Sequence, residues 1–207
     1  MSANLPLIKG GLIVLAPGGG PVQRVVALQY NPETLTRSFE MQGEGGAGAQ
    51  PYRFKGPAIQ SIQLVASLDA TDGLEAPDAH PAVLASGIAP QLAVLESLVQ
   101  PSAAEIQASI TRPKGTSEAP LVLFVWGGQR VVPVRVTQLS ITEEAFDRRL
   151  NPLRARVTLG LRVLTTDDFG AAHRGAALFL SYLRGREALA REAPGASLES
   201  LGLVDLP

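Results

Sequence analysis

Of the 207 residues 45% are hydrophobic, and 18 Lys and Arg stand against 19 Asp and Glu for a net charge of −1. That balance excludes the strongly basic character of a general nucleic-acid binder, so no nucleic acid is expected as a partner. The chain has no cysteine, which excludes disulfides, thiolate metal sites and thiol nucleophiles.

A chain of this size buries a full core. No apolar run approaches the roughly 20 residues of a membrane-spanning helix, so no membrane insertion is expected. The first residues lack the charged start and cleavage site of a signal peptide, and folding in the cytoplasm is expected.

In chain order, the pattern predicts a strand over 7–15, closed by the Gly18-Gly19-Gly20 connection, which lacks the Lys and Ser/Thr of a phosphate loop. A second strand is predicted over 25–30, stopped by Asn31-Pro32, and a third over 34–40. Residues 42–50, rich in Gly and Ala, predict a flexible loop. Ile62, Leu64, Ala66 and Leu68 alternate with other residues as a half-buried strand does. A polar loop is then predicted over 69–81. Leu84, Ile88, Leu92, Leu95 and Val99 predict one helix face over 83–99, with Pro90 starting, kinking or interrupting it. Ser102 is placed to cap a further helical stretch over 103–110, followed by a loop over 111–119.

The centre of the pattern is 121–166. An apolar run ends at Trp126-Gly127-Gly128, and a second run covers 131–142. After a polar connection over 143–152, Ala155, Val157, Leu159, Leu161 and Val163 alternate with Arg154, Arg156, Thr158, Gly160 and Arg162. Asp167 or Asp168 is expected to cap a basic amphipathic helix over 170–191. Its stripe is Leu178, Phe179, Tyr182, Leu183 and Leu189. The tail carries Leu198, Leu201, Leu203, Val204 and Leu206, too apolar to be expected free in water. The expected domains are a β unit over 1–168 and a helix-plus-tail interaction appendage over 169–207.

Chemistry is sparse. His80 and His173 have no further ligand at metal spacing, Asp69 and Asp72 lack the rest of a calcium loop, and no nucleophile elbow is present. No enzyme, metal or cofactor is therefore expected. Arg154, Arg156 and Arg162 share one strand face, which is either a solvated face or a surface for an acidic partner or pore lumen. Trp126 is either a core anchor or an interface residue.

Three motifs carry a resemblance. They are Leu28-Gln29-Tyr30-Asn31-Pro32-Glu33-Thr34-Leu35, Ala119-Pro120-Leu121-Val122-Leu123-Phe124-Val125-Trp126-Gly127, and Asn151-Pro152-Leu153-Arg154-Ala155-Arg156-Val157. In that order they resemble the contractile injection system tube-like family, over about 5–168. The resemblance implies an antiparallel β-barrel or sandwich with one packed helix, in an α+β chain. It also implies a homo-oligomeric ring, typically a hexamer, at the tube–baseplate junction of a phage-tail-like particle, with tube, spike and baseplate proteins as partners. Better-known relatives carry a peptidoglycan-binding LysM module, but here neither "G-D-T-L" nor "W-x-x-I-x-x-x-N" follows Phe169, so that activity is not implied. Interface candidates are Tyr30, Asn31, Trp126, Arg154, Arg156, Arg162, Leu178, Phe179, Tyr182, Leu203 and Leu206. The alternative role is a β-rich adaptor or assembly chaperone of such a particle.

Overall fold

The computed structural model describes residues 7–44, 53–75, 78–111, 119–170 and 172–205. The cleanest alternation in the sequence becomes β9 (Pro152–Val163), in which Ala155, Val157, Leu159, Leu161 and Val163 are all buried. β8 (Val131–Phe146) flanks it on one side and β6 (Ile59–Asp69) on the other, both antiparallel. The sheet is extended by β7 (Leu121–Val125), β1 (Gly11–Leu15), β2 (Val22–Ala27) and β3 (Leu35–Glu40). Its seven strands run in the order β2-β1-β7-β8-β9-β6-β3, each pair antiparallel. A separate two-residue pair, β4 (Gly43–Glu44) with β5 (Arg53–Phe54), extends from β3. The predicted loop over 42–50 thus begins as a short strand, and residues 45–50 lie outside the described residues, as do 112–118 of the loop over 111–119.

Register explains the burial. Leu161 sits between Ile62 and Val136, Leu159 between Leu64 and Leu139, and Val157 between Ala66 and Ile141, so one face is continuously apolar. The sheet also curls. Gln29, just past β2, donates through Nε2 to the Asp69 carbonyl at 2.8 Å and accepts from the Asp69 amide at 2.9 Å. This brings opposite ends of the strand order together at one corner. Among the described residues β2 and β3 remain the two sheet edges, without a hydrogen-bonded seam between them. The fold is β-rich α+β, as expected.

Several predicted boundaries move. The first strand starts at Gly11, not residue 7, and the second ends at Ala27, shortly before Gln29 leaves the ladder to bond Asp69. The polar loop over 69–81 contains a helical turn, α1 (Thr71–Glu75), started by Asp69, whose carboxylate accepts from the Thr71 amide at 2.9 Å. The single helix over 83–99 is two, α2 (Pro81–Ser86) and α3 (Ala89–Glu96). Gly87 breaks it, with φ 59° and ψ −134°, and Pro90 only opens α3, where its missing N–H costs nothing. Ile88, Leu92 and Leu95 enter the core, whereas Leu84 and Val99 are exposed. Ser102 caps α4 (Ala103–Thr111), as the sequence predicts, and Glu105 bonds back to its amide to complete a capping box.

β8 runs on to Phe146, through the predicted polar connection, because Ala145 and Phe146 still pair with Arg154 and Pro152 across two register shifts. The final helix, α5 (Arg174–Glu192), is capped by His173, whose Nδ1 accepts from the Gly175 amide at 2.9 Å. Asp168 instead closes a capping box with Thr165 around a preceding 3-10 turn, and its other oxygen takes Arg162 at 3.0 Å. α5 lies against β8, with Phe179 and Tyr182 in the main core and Leu178 against a smaller cluster of Leu15, Leu121, Leu123 and Leu164. Arg174 ties its first turn to the β1–β2 connection through the carbonyls of Gly19 and Gly20, at 2.9 and 3.1 Å.

Candidate assembly surfaces

The motif residues converge in space. Asn31 accepts from the Gly10 amide at 2.8 Å and donates to the Ile8 carbonyl at 2.9 Å, clamping the chain that enters β1. The Trp126 ring covers Gly10 so closely that a Cβ there would fall 2.4 Å from the ring. Trp126 in turn stacks on Phe124, with centroids 6.0 Å apart. The Asn-Pro turn and the Trp-Gly strand end are therefore two jaws of one clasp, and Asn31 and Trp126 hold the subunit together from within. Tyr30 stays half-exposed, its hydroxyl 3.1 Å from Asp72, and that hydrogen bond, with a little burial, raises the phenol above its ordinary pKa.

The third motif is a platform for the helices. Asp147 binds the side chain and amide of Asn151 at 2.8 Å each, and these donors hold its carboxyl below the ordinary range. The turn presents the Pro152 carbonyl to the Ile88 amide at 2.9 Å and the Leu153 carbonyl to the Ala70 amide at 2.8 Å. All three motifs thus specify joints of the fold, which is why their residues need to be so particular.

Each arginine of the predicted charged face meets a carboxylate of its own chain. Arg154 pairs with Asp69 at 2.9 Å, Arg156 with Glu144 at 3.1 Å and Arg162 with Asp168 at 3.0 Å. Asp69 is held below its ordinary pKa first by the Thr71 donors and then by Arg154. Phe179 and Tyr182 are buried against the sheet, and Leu178 is partly covered. The tail behaves differently: Leu201 is exposed, Val204 is 98% exposed, Leu198 and Leu203 are each 39% exposed, and Leu206 lies outside the described residues.

The sequence did not single out the sheet margins. β2 carries Val22, Val25 and Val26 without clean alternation, and Val22 and Val25 are exposed, Val25 by 65%. Leu28 donates to the Gly10 carbonyl, so by antiparallel alternation the amides of Val25 and Ala27 point away from β1. Phe39 on β3 is exposed as well. Apolar side chains on both faces of a short strand were the available signal. Between β2, β6 and the α2–α3 pair opens a groove of about 520 Å³, whose walls include Val26, Leu28, Ala66, Leu68, Val83 and Leu95. Among the described residues no group of three or more His, Asp or Glu is placed to hold a metal ion, and no helix is long and apolar enough to cross a membrane.

No curated protein matches the chain. Among solved structures it is similar to a chain from the tail of an empty GTA particle, refined helically with C6 symmetry, at 10% identity. That match covers 74% of this chain and 90% of the other with a TM-score of 0.30, too low to carry an argument. The sequence model of the contractile injection system tube protein matches residues 18–171, a span that contains the clasp, the platform and the whole sheet beyond β1. The chain belongs to the contractile injection system tube protein family.

Proposed function

We propose that the chain is a ring subunit at the inner-tube–baseplate junction of a contractile injection particle, six copies closing by pairing sheet edge to sheet edge. The observation that carries this reading is the pair of margins, β2 and β3, at opposite ends of one antiparallel sheet, which no described strand covers. Edge strands present unpaired N–H and C=O groups, and natural proteins seldom leave two such edges uncovered. Head-to-tail pairing around a closed ring covers both at once. The exposed Val22 and Val25 on one margin and Phe39 on the other add apolar area to such a joint.

The exposed tail, with Leu201, Leu203 and Val204, is read as the contact to a tube, spike or baseplate protein stacked on the ring. The half-exposed Tyr30 and the paired Arg154, Arg156 and Arg162 lie on the surface available to the ring or its lumen. Cryo-EM of the native particle, or of the purified protein at high concentration, tests this reading. It expects closed rings with β2 of one copy beside β3 of the next. A protein that stays monomeric at every concentration and never co-purifies with tube, spike or sheath overturns it.

A further inference from the structure

Among the described arginines that meet no carboxylate, three lie near one another. Arg37 on β3, Arg130 in the β7–β8 turn and Arg186 on α5 come near enough that the charges of Arg37 and Arg186 both act on Arg130. Burial first, then the like charge of Arg37 and last that of Arg186 lower the Arg130 pKa, with the Tyr182 phenol acting against them. The Nε atoms of Arg130 and Arg186 are buried without a hydrogen-bond partner. Tyr182, whose ring lies under Arg186, donates its hydroxyl to Oε1 of Gln60 at 3.4 Å; Gln60 is only 4% exposed and its Nε2 also has no partner.

Buried donors are normally satisfied, and leaving one bare is costly. Here buried donors that lack acceptors meet mutually repelling cations. An oxyanion answers both deficits, since a guanidinium fork matches a carboxylate in shape and charge. The rim identifies the kind of carboxylate. Arg37 lies over Phe39, 5.9 Å from the ring centre, and Phe39 is 58% exposed on β3, whose outer margin no described strand covers. Arg186 lies over the Tyr182 ring at 5.6 Å. A free anion has no use for an exposed aromatic or an unpaired strand. An extended peptide uses both, adding a strand to β3, covering Phe39 and reaching the arginines with one acidic side chain.

We infer that Arg37, Arg130, Arg186 and the Gln60 amide form a carboxylate-binding site, filled by an aspartate or glutamate on a segment of the adjoining subunit that pairs with β3. The identity of that occupant rests on the ring reading; the site itself does not.

The test has two arms, using the full chain and its Arg130→Gln and Arg186→Gln variants. In the first, succinate is titrated into isolated wild-type protein at constant ionic strength while thermal unfolding is followed. A saturable rise in the midpoint is expected, and it should vanish in both variants. The variants alone should be at least as stable as wild type, since each removes a buried like charge; a purely structural arginine would instead lower the midpoint. A response that is equal in all proteins, or that inorganic phosphate gives and succinate does not, overturns the inference. In the second arm, ring assembly is followed by sedimentation, and each variant should raise the concentration needed by about tenfold or more. Variants that lose succinate binding yet assemble like wild type overturn the occupant. If wild type never assembles, the ring reading fails, and the succinate arm still decides the site.

Discussion

Gly87→Ala is the sharpest single perturbation of the fold. Gly87 sits at φ 59° and ψ −134°, a conformation essentially confined to glycine, and a Cβ there would lie 2.0 Å from the Pro152 carbonyl oxygen. Holding alanine in so disfavoured a conformation costs about 1–3 kcal/mol. Relieving the overlap means separating the Asn151-Pro152 platform from the helices, which breaks the Ile88 to Pro152 bond of 2.9 Å. That adds about 1 kcal/mol for the hydrogen bond, and the retreat of Ile88, at 1% exposure, would add more. The expected loss is about 2–4 kcal/mol, or a fall in Tm of roughly 4–16 °C for a protein of this size. Gly18→Ala is the control: its φ is 71°, but its Cβ would meet nothing within 4 Å, so only the backbone cost of about 1–2 kcal/mol applies. Urea unfolding followed by Trp126 fluorescence measures both. A Gly87→Ala protein no less stable than Gly18→Ala would refute the idea that the Pro152 carbonyl fixes the break between α2 and α3.

Other outcomes follow from the same geometry. Asn31→Ala removes the partners of the Gly10 amide and the Ile8 carbonyl, and should cost about 1–3 kcal/mol in the same assay. Asp69→Asn should lower stability near neutral pH, because the Thr71 donors and Arg154 favour the ionised form. A depressed carboxylate stabilises the fold above its unfolded value of about 3.9 and loses that contribution as pH falls through its folded value, so the gap between wild type and variant should close in acid. Phe179→Ala empties a buried site between α5 and the sheet and should cost about 3–5 kcal/mol. Val25→Pro removes an amide that points away from β1, so the subunit should fold while ring formation is lost.

The strands inside the sheet were legible because burial of one face imposes alternation, as at Ile62 to Leu68 and Ala155 to Val163. Helix boundaries were less so. Pro90 is the more conspicuous breaker, yet it fits the first turn of α3, and the true break at Gly87 depends on a carbonyl delivered from 65 residues further along, since 152 − 87 = 65. The continuation of β8 through Glu143 and Glu144 was hidden because that end of the strand is solvent-exposed, where polar residues read as loop. The arginine face was visible as a row of charges, but the carboxylates that meet it come from β6, from β8 and from the turn after β9. The unpaired arginines had no sequence signal at all, because Arg37, Arg130 and Arg186 are joined only by the curl of the sheet and the packing of α5.

The most direct measurement of the edge-pairing account is amide hydrogen exchange at Val25 and Ala27, compared between isolated subunits and assembled particles. The account predicts fast exchange in the isolated chain, where nothing described pairs with the outer margin of β2, and strong protection once copies have joined. Equal exchange at both amides in the two states would contradict it.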